Sequence, residues 1–97
     1  MIAHLVLFRL KPGIARDDAR VARLQSDMAM LPQAIDSIRA WEFGANETDD
    51  AEAWDFGLRA SFDSRDALYG YFEHPAHLPV VERWNEVAEL AFADFET

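Results

Sequence analysis

Trp54-Asp55-Phe56-Gly57-Leu58-Arg59-Ala60-Ser61-Phe62 has the clearest pattern in the chain. Trp54, Phe56, Leu58, Ala60 and Phe62 fall on one side of an extended backbone; Asp55, Gly57, Arg59 and Ser61 fall on the other. Successive strand side chains point to opposite faces, so this period of two predicts a strand with one apolar and one polar face. The apolar face needs cover, and the flanking segments have to supply it.

Before this strand, Glu47-Thr48-Asp49-Asp50-Ala51-Glu52 is polar and turn-like. It predicts a hairpin connection from an extended run over Ile35 to Asn46 that holds Ile38, Trp41 and Phe43. Further back, from Asp17 to Leu31, the period becomes helical. Ala19, Ala22, Leu24, Met28 and Leu31 make the apolar stripe, Asp17 and Asp18 suit the helix start, and Pro32 stops the helix or kinks its end. Ile2 to Lys11 alternates with both faces largely apolar, which predicts a central strand ended by Lys11-Pro12-Gly13.

After the opening stretch, Ser64 is a good N-cap for a short helix with Leu68, Tyr71 and Phe72 inward. Pro75 disfavours helical dihedrals at His74 and ends it. A second helical segment over Ala76 to Leu90 has the stripe His77, Val81, Trp84, Ala88 and Ala91, and Phe92-Ala93-Asp94-Phe95 makes a closing strand. The order β-α-β-β-α-β, with the last helix broken at Pro75, predicts an α+β ferredoxin-like domain over residues 1–97: four antiparallel strands with helices on one face. Leu5 and Leu7 point to the helix-free face beside Asp55, Arg59 and Ser61, a mixture too apolar for open water. A second copy would cover it, which predicts a homodimer.

Composition narrows the function. Nine Lys and Arg against 18 Asp and Glu give a net charge of −9 over 97 residues. That balance argues against nucleic acid and against an anionic membrane surface, because both need clustered basic side chains. A hydrophobic fraction of 51% with 12% aromatic residues argues for a folded globule rather than an acidic tail. With no cysteine, disulfides, thiolate nucleophiles and iron–sulfur clusters are excluded. No stretch approaches a membrane span and no charged start precedes an apolar run, so the expected location is cytoplasmic.

Tyr71-Phe72-Glu73-His74-Pro75-Ala76-His77 is the most specific motif. With His4, Phe8 and Lys11 in the first strand, Gly44 and Asn46 before the acidic loop, and Asp94-Phe95 near the end, the chain resembles the stress-responsive A/B barrel (Dabb) family. The resemblance covers nearly the whole length. It implies a dimeric α+β barrel whose two sheets face one another. One plant branch, the olivetolic acid cyclases, closes a poly-β-keto thioester chain by aldol condensation without a cofactor. Carried over by position, that branch's catalytic Tyr and His fall on Tyr71 and His77, its supporting His on His4 and its last-strand Asp on Asp94. The first helix departs from that branch: Ala22, Leu24, Gln25, Ser26 and Met28 stand where it offers aromatic pocket walls.

Physically, His77 lies on an inward stripe in the first turn of a helix, where the positive dipole end disfavours imidazolium. A neutral imidazole in an apolar pocket is equipped as a general base. A packed core histidine at a helix start is the other reading. Tyr71 is either a donor to a developing oxyanion or a core tyrosine. Asp94, near one or both of the His4 and His77 imidazoles, either fixes the tautomer of His77 or only ties the first and last strands together. Val6, Phe8, Val81, Trp84 and Phe92 are expected to line the pocket.

His74 with His77 forms an H-x-x-H pair, but Pro75 breaks the helix that would align it and no third ligand is evident. The acidic loop lacks calcium-loop spacing. No metal and no cofactor are therefore expected. Two functions stand: a cofactor-free acid–base catalyst or binder acting on a small apolar or aromatic carbonyl compound, and a non-catalytic stress-protective dimer in which the motif serves architecture.

Overall fold

The structure, a computed structural model, describes all 97 residues. Its elements are β1 (Ile2–Leu10), α1 (Ala19–Ala34), β2 (Ala40–Ala45), β3 (Phe56–Phe62), α2 (Arg65–Phe72), α3 (Leu78–Val87) and β4 (Ala88–Glu96). The four strands form one antiparallel sheet in the order β2-β3-β1-β4, the ferredoxin-like arrangement that the sequence predicts.

β1 sits centrally because it is apolar on both faces. Its register pairs His4 with Ala60 on one side and with Asp94 on the other. Directly opposed residues share a face, so His4, Val6, Phe8, Leu58, Ala60, Phe92 and Asp94 all project toward the helices. Val6, Phe8, Phe56, Leu58 and Phe62 meet Leu24, Met28, Leu68, Tyr71, Val80 and Trp84 in one core. Phe8 packs on Trp84 with ring centres 4.5 Å apart.

Several boundaries differ from the sequence reading. α1 continues through Pro32 to Ala34, and Ile35 is its C-cap rather than the start of a strand. Proline costs this last turn one hydrogen bond, and buried Leu31 and Ile35 anchor the turn on either side. The buried stripe of α1 is Val21, Leu24, Met28 and Leu31; Ala19 and Ala22 are exposed. The larger side chains gain more from burial and set the helix rotation. β2 is shorter than expected, and β3 begins at Phe56, two residues after Trp54.

The largest shift lies at the junction of α3 and β4. α3 ends at Val87, so Ala88 and Ala91 belong to β4, and Val80, Trp84 and Val87 form the fully buried stripe. Nine residues of β4 pair along the whole length of β1, from Leu10–Ala88 to Ile2–Glu96. Extended pairing of that length outcompetes one further helical turn.

The helix-free face is a shallow basin of about 700 Å³, floored by Leu5, Leu7, Gly57, Ala91 and Ala93 and flanked by the Glu42–Arg59 ion pair. Leu7 is half exposed there. No helix is long and apolar enough to cross a membrane.

Candidate active site

Tyr71 and His77 are brought together by the proline break. α2 starts on Ser64, whose side chain accepts from Ala67 N–H, and closes at Glu73. The chain then turns through His74-Pro75-Ala76, with the His74 carbonyl accepting from the N–H of both His77 and Leu78. His74 folds back on its own loop, its Nδ1 accepting from Ala76 N–H at 3.0 Å. That bond occupies the nitrogen, and no group of three or more ligating side chains assembles anywhere in the chain.

His77 occupies the N-cap position of α3 but makes no side-chain capping bond. Its ring instead reaches back, and Nδ1 lies 3.1 Å from the Phe72 carbonyl oxygen. A carbonyl can only accept, so Nδ1 holds the proton and Nε2 presents a lone pair. Burial lowers the His77 pKa below its ordinary value of 6.5; the Phe72 bond opposes this, and His4 and His74 add to it. The direction matches the sequence expectation, but its main cause is desolvation of the ring.

Sequence reasoning missed the Phe72 carbonyl. The clue was available, since the last carbonyls of any helix lack intrahelical partners and α2 ends at Phe72. The same finding corrects the pairing expected for Asp94. Its carboxylate meets His4 Nδ1, not His77. The register that sets His4 opposite Asp94 decides this before any side-chain choice.

Tyr71 is 1% exposed, and its ring centre lies 4.1 Å from that of His77. Burial raises its phenol pKa above the ordinary range, so the hydroxyl stays protonated and remains a donor. Neither that hydroxyl nor His77 Nε2 bonds to the protein, yet neither is walled off. The sole buried side-chain polar atoms without partners are the indole N–H groups of Trp41 and Trp84.

Both groups border a chamber of about 290 Å³ between the sheet and the helices. His4, 4% exposed, borders it too, with Asp94 behind its ring. Val6, Phe8, Val81, Trp84 and Phe92, the expected lining, all lie on the wall. Met28, Leu58, Phe72, Leu78, Val80 and Leu90 complete it and were not singled out from the sequence. No Asp, Glu, Lys or Arg side chain borders the chamber. Chemically it is a hydrocarbon box with imidazole acceptors and a phenol donor, able to move a proton on a neutral guest.

Residues 2–97 match the family model described as Stress responsive A/B Barrel Domain. The chain belongs to that family. An uncharacterised protein of Streptomyces coelicolor is 42% identical to this A/B barrel chain over 96 residues, 99% of each chain. A dimeric ferredoxin-like protein of unknown function from Bacteroides fragilis is 29% identical, with a TM-score of 0.83 over 99% of this chain and 95% of that one. A hydroxynitrile lyase from Passiflora edulis is 15% identical, with a TM-score of 0.82 over 97% and 90% of the two chains. Its similarity to the A/B barrel chain is one of fold.

Proposed function

We propose that this A/B barrel chain forms a homodimer through its helix-free sheet face and that each chamber acts as a cofactor-free acid–base site for a small apolar carbonyl compound. The observation that supports this best is the pairing of an unbonded His77 Nε2 with an unbonded Tyr71 hydroxyl on one hydrocarbon-lined chamber. The dimer rests on the exposed Leu7 beside Leu5 in the basin and on the dimeric Bacteroides fragilis relative.

With a β-keto substrate, His77 Nε2 takes a proton from the carbon between two carbonyl groups. The C–H electron pair moves into an enolate, whose oxygen accepts a hydrogen bond from the Tyr71 hydroxyl. The enolate carbon then attacks a second carbonyl of the same molecule, forming a C–C bond. The new alkoxide takes the proton back from His77, which ends neutral. His4, held by Asp94, orients the guest through its remaining ring nitrogen. That hydroxynitrile lyase of the same fold is an enzyme, which suits a catalytic use of the scaffold.

The competing reading is architectural: His4 and Asp94 stand opposite each other in the β1–β4 ladder and tie the two strands whatever the chamber holds. Exchange of the C2 protons of an acetoacetyl thioester in deuterated buffer, followed by stopped flow, separates the two. Wild type should exceed buffer alone, and His77→Gln should return the rate to the buffer level with its NMR fingerprint intact. A wild-type rate equal to buffer overturns the catalytic reading and leaves the architectural one.

A further inference from the structure

Phe92 is placed unlike any other wall residue. It projects to the helix side of β4 opposite Val6, yet it is 66% exposed, because neither α2 nor α3 covers it. Its ring centre lies 6.2 Å from His4 and 6.5 Å from Phe72. On its far side lies a second hollow of about 370 Å³, bordered by Ile2, Arg65, Leu68, Tyr69 and Phe95 among others. Phe92 is the one residue that borders both this groove and the chamber.

We infer that Phe92 is the specificity-determining partition of the site: it sets how long an apolar tail a carbonyl guest can carry, by standing between the chamber and the outer groove. This rests on the chamber being the ligand site, as proposed above. The chamber is at the small end of ligand pockets, which run from roughly 300 to 1,000 Å³. A carbonyl head beside His77 therefore leaves little room for a chain before it meets the Phe92 ring.

The groove beyond is bordered by Ile2 and Leu68, with the half-exposed Tyr69 ring beside them; Phe95 also borders it but sits opposite Ala3, on the other face of β4. Its charged members are Arg65 against Asp94 and Glu96, an acidic balance that disfavours an anionic tail and leaves an uncharged one, which Ile2, Leu68 and the Tyr69 ring can take when it is alkyl. Because the ring is mostly exposed, removing it opens the path without excavating the core.

The test is titration calorimetry of a series of linear β-diketones of rising chain length against wild type, Phe92→Ala and Phe92→Leu. In wild type, affinity should rise about fourfold per added methylene, the usual gain for burying one such group, and then level off. Phe92→Ala should move the plateau to longer chains and Phe92→Leu to an intermediate length. The same plateau in all three overturns the partition while leaving the acid–base site standing, provided that wild type still accelerates proton exchange. Failure of every member, the shortest included, to bind wild type overturns both.

Discussion

Removing the carboxylate behind His4 gives the most quantitative consequence of this architecture. The Asp94 carboxylate, its side chain 25% exposed, accepts from the Nδ1–H of a ring that is 4% exposed. Hydrogen bonds to charged groups contribute roughly 1.5 to 3 kcal/mol, and partial exposure of the acid places this one near 2 kcal/mol. With a melting entropy of about 2.1 cal/mol/K per residue, 97 residues give about 0.2 kcal/mol/K. Asp94→Ala therefore lowers Tm by about 10 °C. Asp94→Asn keeps an oxygen acceptor and loses only the charge, so its drop should be about half as large, roughly 5 °C. Thermal melts at one fixed protein concentration measure both. Nitrogen NMR of the His4 ring should show the proton leaving Nδ1 as the dominant site in Asp94→Ala. Asp94→Ala melting together with wild type would refute the claim that this bond is a buried tie between β1 and β4.

NMR titration of the three histidine rings should find His77 below its ordinary 6.5, because burial disfavours the imidazolium. The unfolded chain then binds more protons than the native one in this range, so this residue's share of stability is complete above pH 6.5 and falls as the solution is acidified below it. His77→Gln should flatten that part of the pH–Tm curve, and a His77 titration at or above 6.5 contradicts the assignment. Tyr71→Phe removes a hydroxyl without a protein partner, so Tm should stay near wild type while the proton-exchange rate falls about 100-fold, the usual loss for an oxyanion donor. A large loss of stability in that variant would show that the hydroxyl holds the core. Leu7→Arg places a charge in the basin, and light scattering should then report the 11.1 kDa single chain rather than twice that mass. An unchanged mass would move the dimer interface elsewhere.

Strand alternation made the sheet legible. Trp54 to Phe62 shows on which side its neighbours pack. Ile2 to Leu10, apolar on both faces, shows a central strand on which His4 shares a face with Val6 and Phe8; the register opposite Ala60 puts that face toward the helices. The helices were read with Leu24, Met28, Leu31 and Trp84 rightly inward but with Ala19 and Ala22 wrongly so, because alanines count as apolar in a periodic pattern while contributing little to burial. Val21 and Val80 are buried without having been singled out, Ala19 and Ala22 are exposed, and Val81 is half-buried on the chamber wall. The β4 boundary was not legible because ladder pairing with β1 decides it, and pairing is a property of two segments together. At the site, the side chains could be named from one motif, but the bond that sets the His77 tautomer goes to a main-chain oxygen. Residue identity says nothing about such an oxygen; only the place where a helix stops reveals it.

The histidine and aspartate that face each other across β1 and β4 are separated by 90 positions in the chain. During synthesis, His4 emerges long before its counterpart, and three strands and three helices can be present with one wall of the cavity still missing. Leu90, Phe92 and Asp94 all arrive with the last-made strand. Until β4 docks, that imidazole has no acid to hold it and the hollow stays flooded. A nascent or C-terminally clipped chain should thus be incapable of ligand uptake even where its circular dichroism looks nearly native, so occupancy of the cavity would serve as a readout of completed folding.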